Sequence, residues 1–258
     1  MNREKDNLVE AFRSVGLTEG DTVFIHANLL SFGLVASEKK GFVEYFLSPL
    51  REVIGESGTI AVMTYTFSYA GGKTPFSFEE SPSEAGMLTE YIRTLPNASR
   101  SMHPLCSVSA IGPNAEVITG GKTRSAFGWG SPFQKLHELK AKCLFLGMTA
   151  GQSFTFLHYI EHLYGVSHCY HKAFFHPAMK EGKIVEGPFL AFLRNRNAEP
   201  YDFTRFEEEM RGRGHLSECT HKEGRIQGIT LQDAFTVGME MLANDACAFL
   251  KAPFYITE

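Results

Sequence analysis

Apolar residues along this chain follow two alternating patterns, one typical of helices and one typical of buried strands. Leu8, Phe12 and Val15 recur at intervals of three or four residues, which is typical of one face of a helix. The segments 22–29 (TVFIHANL) and 59–67 (TIAVMTYTF) are short runs rich in β-branched and aromatic residues, which indicate buried strands. Because such helix and strand signals alternate through most of the chain, the pattern predicts an α/β layered fold.

The same reasoning predicts the remaining elements. We expect further helices at 42–54, 84–95, 131–139, 153–165, 202–212 and 230–251, strands at 106–112 and 142–148, and a hairpin within 169–194 that turns at Glu181-Gly182-Lys183. The polar segment 68–83 contains glycines and prolines and is interpreted as a long loop of the kind that covers a site. No repeat, low-complexity run or linker divides the chain, so residues 1–258 are predicted to form a single domain.

Composition and charge narrow the class of protein. Of the 258 residues, 43% are hydrophobic and 21% are charged, and the formal net charge is -4. These values are ordinary for a globular protein and do not indicate bulk binding to nucleic acid. The five cysteines are widely spaced and include no CxxC pair, so they are interpreted as free thiols in a reducing compartment. No signal-like or membrane-spanning apolar stretch occurs, so we expect no membrane partner and a cytoplasmic location.

The most informative stretch is TFLHYIEH, residues 155–162. In a helix, Thr155, His158 and Glu161 recur at i, i+3 and i+6, so they form one polar stripe on an otherwise apolar helix. A carboxylate one turn from a histidine fixes the imidazole tautomer and makes the other ring nitrogen a stronger base. The stretch therefore predicts a general base or a metal site, although a histidine–carboxylate pair can also be purely structural.

A zinc site is one alternative that this stretch leaves open. His158, Glu161 and His162 match HxxEH, the inverted zinc-protease signature, in which two histidines bind the metal and the glutamate acts as base. The motif is short and needs a third ligand, and the acidic run at 207–209 is typical of a solvated helix face. A zinc hydrolase is thus the remote alternative, and we expect no metal.

Six segments of the chain carry a further signal when they are taken together. They are GDTVFIHANL (20–29), SGTIAVMTYTF (57–67), SPSEAGMLTEYIR (81–93), RSMHPLCSVSAIG (100–112), GSPFQKL (130–136) and LGMTAGQSFTFLHYIEH (146–162). In this order they resemble the aminoglycoside 3-N-acetyltransferase (antibiotic N-acetyltransferase) family. The resemblance implies a layered α/β fold of that family's type, with a central mixed β-sheet flanked by helices, distinct from the GNAT acetyltransferases.

The resemblance also implies a chemistry. Members of the family transfer acetyl from acetyl-CoA to an amine of an amino sugar, and their catalytic Thr, His and Glu match Thr155, His158 and Glu161. A sugar ammonium has a pKa of about 8, like an α-amino group, so a positioned imidazole is expected to free the nitrogen for attack. Backbone N–H groups or the Thr155 hydroxyl would stabilise the oxyanion. The thioester is already activated, so we expect direct transfer, with Cys106 or Cys169 as an acyl carrier the minor alternative.

CoA carries several phosphates, for which the sequence offers candidate anion sites. Arg100-Ser101 supplies a basic fork, and Ser131-Pro132 is a helix start at which Ser131 either caps the helix or contacts a phosphate. The residues predicted to bind CoA are His26, Asn28, Arg100, Ser101, His103, Ser107 and Ser131. At 26–28 the chain reads His-Ala-Asn where the family commonly has His-Ser-Ser, so Asn28 or backbone groups must replace a hydroxyl contact to the pantetheine arm.

Two kinds of amino sugar fit the acceptor side. A net charge of -4 attracts a polycation only weakly. The aromatic residues near the expected site suit a nucleotide base or a sugar ring: Phe67, Tyr69, Phe76, Phe78 and Trp129. We therefore predict a nucleotide-linked (dTDP-type) 3-amino-3,6-dideoxyhexose as substrate. The alternative is an aminoglycoside antibiotic, which would make the protein a resistance enzyme.

Polar residues that follow the predicted catalytic helix are candidates for binding the acceptor. His168, His171 and Lys172 follow the catalytic helix and are expected to contact the acceptor. A non-catalytic binding protein is a different class of function, and the intact stripe of Thr155, His158 and Glu161 argues against it. A homodimer is kept as a candidate assembly.

Overall fold

The computed structural model describes residues 2–33, 39–72 and 75–255. Its helices are α1 (Asn2–Ser14), α2 (Lys39–Ile54), α3 (Met87–Arg93), α4 (Ala115–Thr119), α5 (Pro132–Glu138), α6 (Phe156–Tyr164), α7 (Thr204–Gly212) and α8 (Leu231–Asn244). Its strands are β1 (Thr22–Ala27), β2 (Thr59–Met63), β3 (Phe76–Ser77), β4 (Ser99–Arg100), β5 (Val108–Ile111), β6 (Lys142–Leu146), β7 (Cys169–Phe174), β8 (Ala178–Lys180), β9 (Lys183–Val185), β10 (Phe189–Arg194), β11 (Leu216–His221) and β12 (Gly224–Thr230).

A seven-stranded sheet in the order β11-β12-β6-β1-β2-β5-β4 forms the centre of the fold. The three middle strands β6, β1 and β2 are parallel, and every other pairing in this sheet is antiparallel. The register places Phe24 of β1 opposite Ala61 of β2 and Cys143 of β6. The predicted central mixed sheet is therefore confirmed.

Helices cover both faces of this sheet, as the alternation of side chains along β1 shows. Val23 and Ile25 belong to an apolar cluster that includes Phe12 of α1 and Phe46 of α2. Phe24 belongs to a second cluster, which includes residues of α5, α6 and α8. Successive side chains of a strand point to opposite faces, so the two clusters lie on opposite sides of the sheet. The flanking helices predicted from the sequence are confirmed.

Two small sheets complete the fold, one of β10 and β7 and one of β3, β8 and β9. The predicted turn at Glu181-Gly182-Lys183 is confirmed, because it joins β8 to the antiparallel β9. The segment 68–83, predicted as a long loop of the kind that covers a site, contains β3 and packs Tyr69 against these small sheets. Tyr69 is only 2% exposed, and its ring lies 5.7 Å from Phe76 and 6.1 Å from Phe189.

Some expectations about the elements are wrong. The final helix ends at Asn244 rather than near residue 251, because the chain then turns and pairs Leu250 with Tyr201 in an isolated bridge. The hairpin of β11 and β12 is absent from the sequence-based prediction. All five cysteines are free, as predicted. No helix in the described ranges has both the length and the apolar character needed to cross a membrane. The single domain, the homodimer and the cytoplasmic location stay predictions.

Candidate active site

Polar residues gather at the carboxyl ends of the parallel strands. His26 lies near the end of β1, and the loop after β6 leads to Thr155, which is the residue before α6. The Thr155 hydroxyl donates to Sδ of Met63, the last residue of β2. Because β1, β2 and β6 are parallel, their carboxyl ends meet at one edge of the sheet, and this edge is where ligands bind in open α/β folds.

The helix α6 presents His158 and Glu161 to this edge. Nδ1 of His158 lies 2.8 Å from Oε2 of Glu161. An ionised carboxylate can only accept, so Nδ1 carries the proton of this bond and Nε2 keeps a free lone pair. The His158 side chain is 25% exposed, whereas the Glu161 side chain is fully buried. The second ring nitrogen of this partly exposed side chain is thus free to accept a proton.

The second oxygen of Glu161 is also used. Oε1 of Glu161 lies 2.8 Å from Nε2 of His168, and both side chains are fully buried. Burial by itself raises the pKa of Glu161, but the hydrogen bonds from His158 and His168 outweigh it and hold that pKa below its ordinary value. The expectation that His168 contacts the acceptor is wrong, because its side chain has no exposed surface.

Aromatic rings hold His158 in place. The Tyr201 ring lies 4.6 Å from the His158 ring, and Phe203 and Phe127 lie at 5.9 and 6.1 Å. Burial and the nearby Glu161 carboxylate raise the pKa of Tyr201 well above its ordinary value, so this phenol stays protonated. Tyr201 was not singled out by the sequence, where it stands in a polar segment far from α6.

His26 is excluded as the base. Its side chain is 2% exposed and its ring stacks on Phe145 at 5.3 Å. Burial, with a smaller effect from His158, lowers the pKa of His26 to about 3. Nε2 of His26 has no hydrogen-bond partner within the described part of the chain. A buried ring that stays neutral near pH 7 is poorly suited to accept a proton, whereas the His158 side chain is partly exposed.

The two cysteines considered as acyl carriers are poor nucleophiles here. Burial raises the pKa of Cys106 to about 12. Burial and the nearby Glu161 carboxylate raise the pKa of Cys169 to about 12 as well, and its sulfur lies 3.2 Å from the Tyr201 hydroxyl. Only a thiolate attacks a thioester, so these environments disfavour a covalent acyl-enzyme.

The guanidinium of Arg100 makes hydrogen bonds within the protein. Its guanidinium donates to the carbonyl oxygens of Thr64 and Ser81 at 2.8 and 2.6 Å, and to the hydroxyls of Thr66 and Ser107, both at 2.9 Å. These contacts favour a role in fixing the strand ends rather than in binding a phosphate. The prediction that Arg100 and Ser107 bind CoA stays a prediction without support from this geometry.

The other predicted CoA residues fall into two groups. Ser101 accepts from the Val108 backbone, and His103 accepts from Cys106 N while its Nε2 lies 3.2 Å from the Leu190 carbonyl. Ser131 caps α5 by accepting from Gln134 N. The polar atoms of these side chains therefore have protein partners. Only Asn28, after β1, is exposed. Contacts of all these residues with CoA stay predictions.

The zinc interpretation does not match the geometry. His158 directs Nδ1 at Glu161, and the His162 ring packs edge-on against His171 at 5.0 Å. In the ranges that the structure describes, the one group with the mutual spacing of metal ligands is Glu161, His168 and Cys169, which does not include His162. An HxxEH site needs both of its histidines on one metal. The residues present therefore do not form the inverted zinc-protease site.

Comparison with known proteins is consistent with the geometry. Residues 24–243 match the family model described as aminoglycoside 3-N-acetyltransferase. The chain belongs to this family. Among its relatives is the aminoglycoside N(3)-acetyltransferase III of Salmonella sp, which is 31% identical over 176 residues. That alignment covers 60% of this chain and 58% of the relative, so the chain spans little more than half of the relative's length.

Solved structures of aminoglycoside acetyltransferases share the fold. The binary complex of AAC-IIIb with CoASH has a TM-score of 0.78 and 21% identity, and the match covers 96% of this chain and 98% of the other. Sisomicin-bound AAC-VIa also has a TM-score of 0.78, with 23% identity and coverage of 93% and 97%. The predicted family and its layered α/β fold are confirmed. At an identity of 21–23% the structural matches establish the fold alone. The chemistry of the site is inferred from the contacts of His158, Glu161 and His168 in this protein.

Proposed function

We propose that the protein transfers the acetyl group of acetyl-CoA to a primary amine of an aminoglycoside. The observation that carries the proposal is the His158–Glu161 pair, which leaves Nε2 of His158 free at the ligand-binding edge of the sheet. The family supplies the reaction class, and the named relatives act on aminoglycosides. We therefore place the aminoglycoside ahead of the nucleotide-linked sugar predicted from the sequence.

The proposed reaction needs no covalent enzyme intermediate. The amine nitrogen attacks the thioester carbonyl while Nε2 of His158 takes a proton from that nitrogen. The new C–N bond forms, the C–S bond breaks, and the imidazolium returns the proton to the departing sulfur to give the CoA thiol. Glu161 stabilises the imidazolium while it exists, as a carboxylate does for a histidine base.

Thr155 is suited to stabilise the oxyanion. Its hydroxyl donates to the Met63 thioether in the protein alone, and a thioether is a weak acceptor. Little stabilisation is therefore given up when the hydroxyl turns towards a negatively charged oxygen. A donor placed where charge develops in the transition state is typically worth about 10²–10³ in turnover.

A cavity of about 690 Å³ supplies a site for the CoA phosphates. Its lining contains the cations Arg93, Arg100, Lys122, Arg124 and Lys180 and the carboxylates Glu79 and Glu116. Arg93 pairs with Glu90 at 2.6 Å. Among the described residues, Lys122, Arg124 and Lys180 have no carboxylate partner within ion-pair distance, so their charges are available to phosphates.

A short segment of chain connects the cavity lining to the neighbourhood of His158. Arg124 lies three residues before Phe127, and three extended residues span about 10 Å. The Phe127 ring in turn lies 6.1 Å from the His158 ring. A long molecule with its phosphates in the cavity can therefore reach His158 with its other end.

Reversing two of these charges tests the assignment. For Lys122→Glu/Lys180→Glu we expect KM for acetyl-CoA to rise by about tenfold or more, because removing one charge-assisted hydrogen bond to a phosphate costs about 1.5 kcal/mol. We expect kcat and the acceptor KM to change little. Arg13→Glu, which reverses an exposed charge on α1, is the control. Equal KM values for the two proteins would place the phosphates elsewhere.

The acceptor is tested with a panel. The protein is incubated with acetyl-CoA, a thiol reagent and either an aminoglycoside (gentamicin, kanamycin or sisomicin) or a dTDP-linked 3-amino-3,6-dideoxyhexose, with a His158→Ala protein as the blank. We expect turnover with an aminoglycoside. Turnover with the nucleotide-linked sugar alone would restore the sequence-based prediction. Acetyl transfer to neither class would refute the proposed function.

One observation keeps the nucleotide-linked sugar as the second candidate. Of the aromatic residues expected to stack on a base, Tyr69, Phe76 and Phe78 are buried in the core. Phe67 is 54% exposed and Trp129 is 86% exposed. Trp129 lies two residues from Phe127, which contacts His158, so one exposed indole does lie near the base.

A further inference from the structure

Glu161 is a fully buried carboxylate that hydrogen-bonds two imidazoles. Oε2 lies 2.8 Å from Nδ1 of His158 and Oε1 lies 2.8 Å from Nε2 of His168. We infer that His168 is a positioning residue, which fixes the Glu161 carboxylate and so sets the pH below which His158 stops acting as a base. The inference rests on the proposed function, in which His158 is that base.

The proton arrangement of His168 follows from its surroundings. Glu161 accepts, so Nε2 of His168 carries a proton. Nδ1 of His168 is buried and has no hydrogen-bond partner in the described part of the chain. Protonating Nδ1 would create a buried N–H without an acceptor, which is costly. His168 is therefore a buried N–H donor to Glu161, with no exposed atom through which it could meet a ligand.

The backbone holds His168 rigidly beside the carboxylate. The His168 carbonyl accepts from Asn195 N at 2.8 Å, which ties the start of β7 to the end of β10. His158 belongs to α6, so the two donors to Glu161 come from different elements. His158 takes up and returns a proton in the proposed reaction, whereas the fully buried His168 does not reach the ligand. The hydrogen bond from His168 thus keeps the Glu161 carboxylate oriented while the hydrogen bond from His158 strengthens and weakens during the reaction.

Four ionisable groups packed around these three residues keep their charge state near neutral pH. Burial lowers the pKa of His26 on β1 to about 3, and burial and Glu161 raise that of Cys169 on β7 to about 12. Burial and Glu161 raise the pKa of Tyr201 well above its ordinary value. Arg194 on β10, over the Tyr201 ring at 5.7 Å, is a permanent cation. None of these four groups therefore accounts for a shift of the acid limb between variants.

Two substitutions separate a donor from mere packing. His168→Gln places an amide N–H near the position of Nε2, and His168→Leu fills a similar volume without a donor. Removing the donor leaves more negative charge on the carboxylate facing His158, so His158 keeps its proton to higher pH. We expect the acid limb of the kcat/KM profile to move up by about one pH unit in His168→Leu, since one hydrogen bond to a charged group corresponds to about that shift. We expect kcat to fall about tenfold or more.

The glutamine variant should restore the profile. We expect the acid limb of His168→Gln to lie within a few tenths of a pH unit of the parent, with KM for acetyl-CoA unchanged in both variants. Thermal unfolding checks that each protein is folded, and His168→Asn, whose shorter amide does not reach Oε1, replaces the leucine variant if that one does not fold. An unmoved acid limb in the donor-less protein, or equal shifts in the donor and donor-less proteins, would overturn the inference.

A measurement without turnover separates this inference from the proposed function. The ring of His158 is titrated by NMR in the parent, in His168→Leu and in His168→Gln, with His158→Asn used to assign the signal. We expect its midpoint to rise by about one pH unit with leucine and to return with glutamine. If this holds while no amino sugar is acetylated, the proposed function fails and the positioning role stands. Identical midpoints in all three proteins would refute the positioning role.

Discussion

Replacing His158 by alanine or asparagine is expected to lower kcat by at least two orders of magnitude while the protein stays folded. The His158 side chain is 25% exposed, with its ring 4.6 Å from that of Tyr201 and its Nδ1 bonded to Glu161. A positioned general base typically contributes about 10²–10⁴-fold. His26, the other imidazole on these strand ends, is buried and its pKa is lowered to about 3 by burial, so it does not replace His158. Acetyl transfer to an aminoglycoside, followed by release of the CoA thiol, measures the decrease.

His162 provides a matched control for this experiment. It lies one turn further along α6, and its ring packs against His171 and Phe192 instead of a carboxylate. His162→Ala is expected to retain turnover within a few-fold of the parent. A zinc site built on HxxEH would require both histidines, so equal decreases in the two alanine variants would favour that alternative. Parent-like turnover of His158→Ala would show that the assigned base is wrong.

Glu161→Gln is expected to lower kcat by more than so conservative a substitution suggests. Both His158 and His168 offer an N–H to the side chain at this position. Glutamine has one acceptor oxygen and one donor group, so one of the two histidines faces a donor. If His158 changes tautomer to avoid this, its Nε2 carries a proton and cannot act as a base. In a serine protease the equivalent amide substitution lowers kcat by about 10⁴, and we expect a decrease of about 10³–10⁴ here.

Turnover at saturating acetyl-CoA and acceptor measures this effect. Glu44→Gln is the control, because Glu44 of α2 also accepts from two side chains, Arg51 and Tyr91, without contacting the site. We expect the control to keep its turnover. A Glu161→Gln protein that is folded and nearly as active as the control would show that the carboxylate does not orient the base.

The sequence predicts the central fold well where apolar runs are long and uninterrupted. The strands β1, β2 and β6 follow the predicted segments because each is buried on both faces. The helix α6 is predicted at 153–165 and found at Phe156–Tyr164, with Thr155 as its preceding residue. The 3.6-residue period then suffices to bring His158 and Glu161 within a hydrogen bond.

The hairpin of β11 and β12 is not predicted because its local signals are those of a loop. Three of the six residues of β11 are exposed, and β12 contains Gly224 and Gly228, which are unusual in strands. A Cβ at Gly228 would lie 2.2 Å from the Val15 carbonyl oxygen, so the glycine allows the residues after α1 to approach the strand. That requirement comes from a segment roughly 200 residues away, and a local pattern does not contain it.

The sequence predicts only part of the site, because the rest is assembled by contacts between segments that are separate along the chain. Spacing along one helix identifies His158 and Glu161, but His168 and Tyr201 join them through the turn after α6 and the segment before α7. Arg100 shows the opposite error. A basic residue in a motif suggests an anion site, and only the fold reveals that carbonyl and hydroxyl oxygens already occupy its donors.

The exposure of Trp129 gives the protein its own optical probe. It is the only tryptophan in the chain, it is 86% exposed, and it lies between Phe127 at the base and Ser131 at the start of α5. Indole emission from the protein therefore arises from this one loop and shifts to shorter wavelength when a ligand displaces water from the ring. Fluorescence titration then yields dissociation constants for acetyl-CoA and acceptors even with variants whose turnover is too slow to assay.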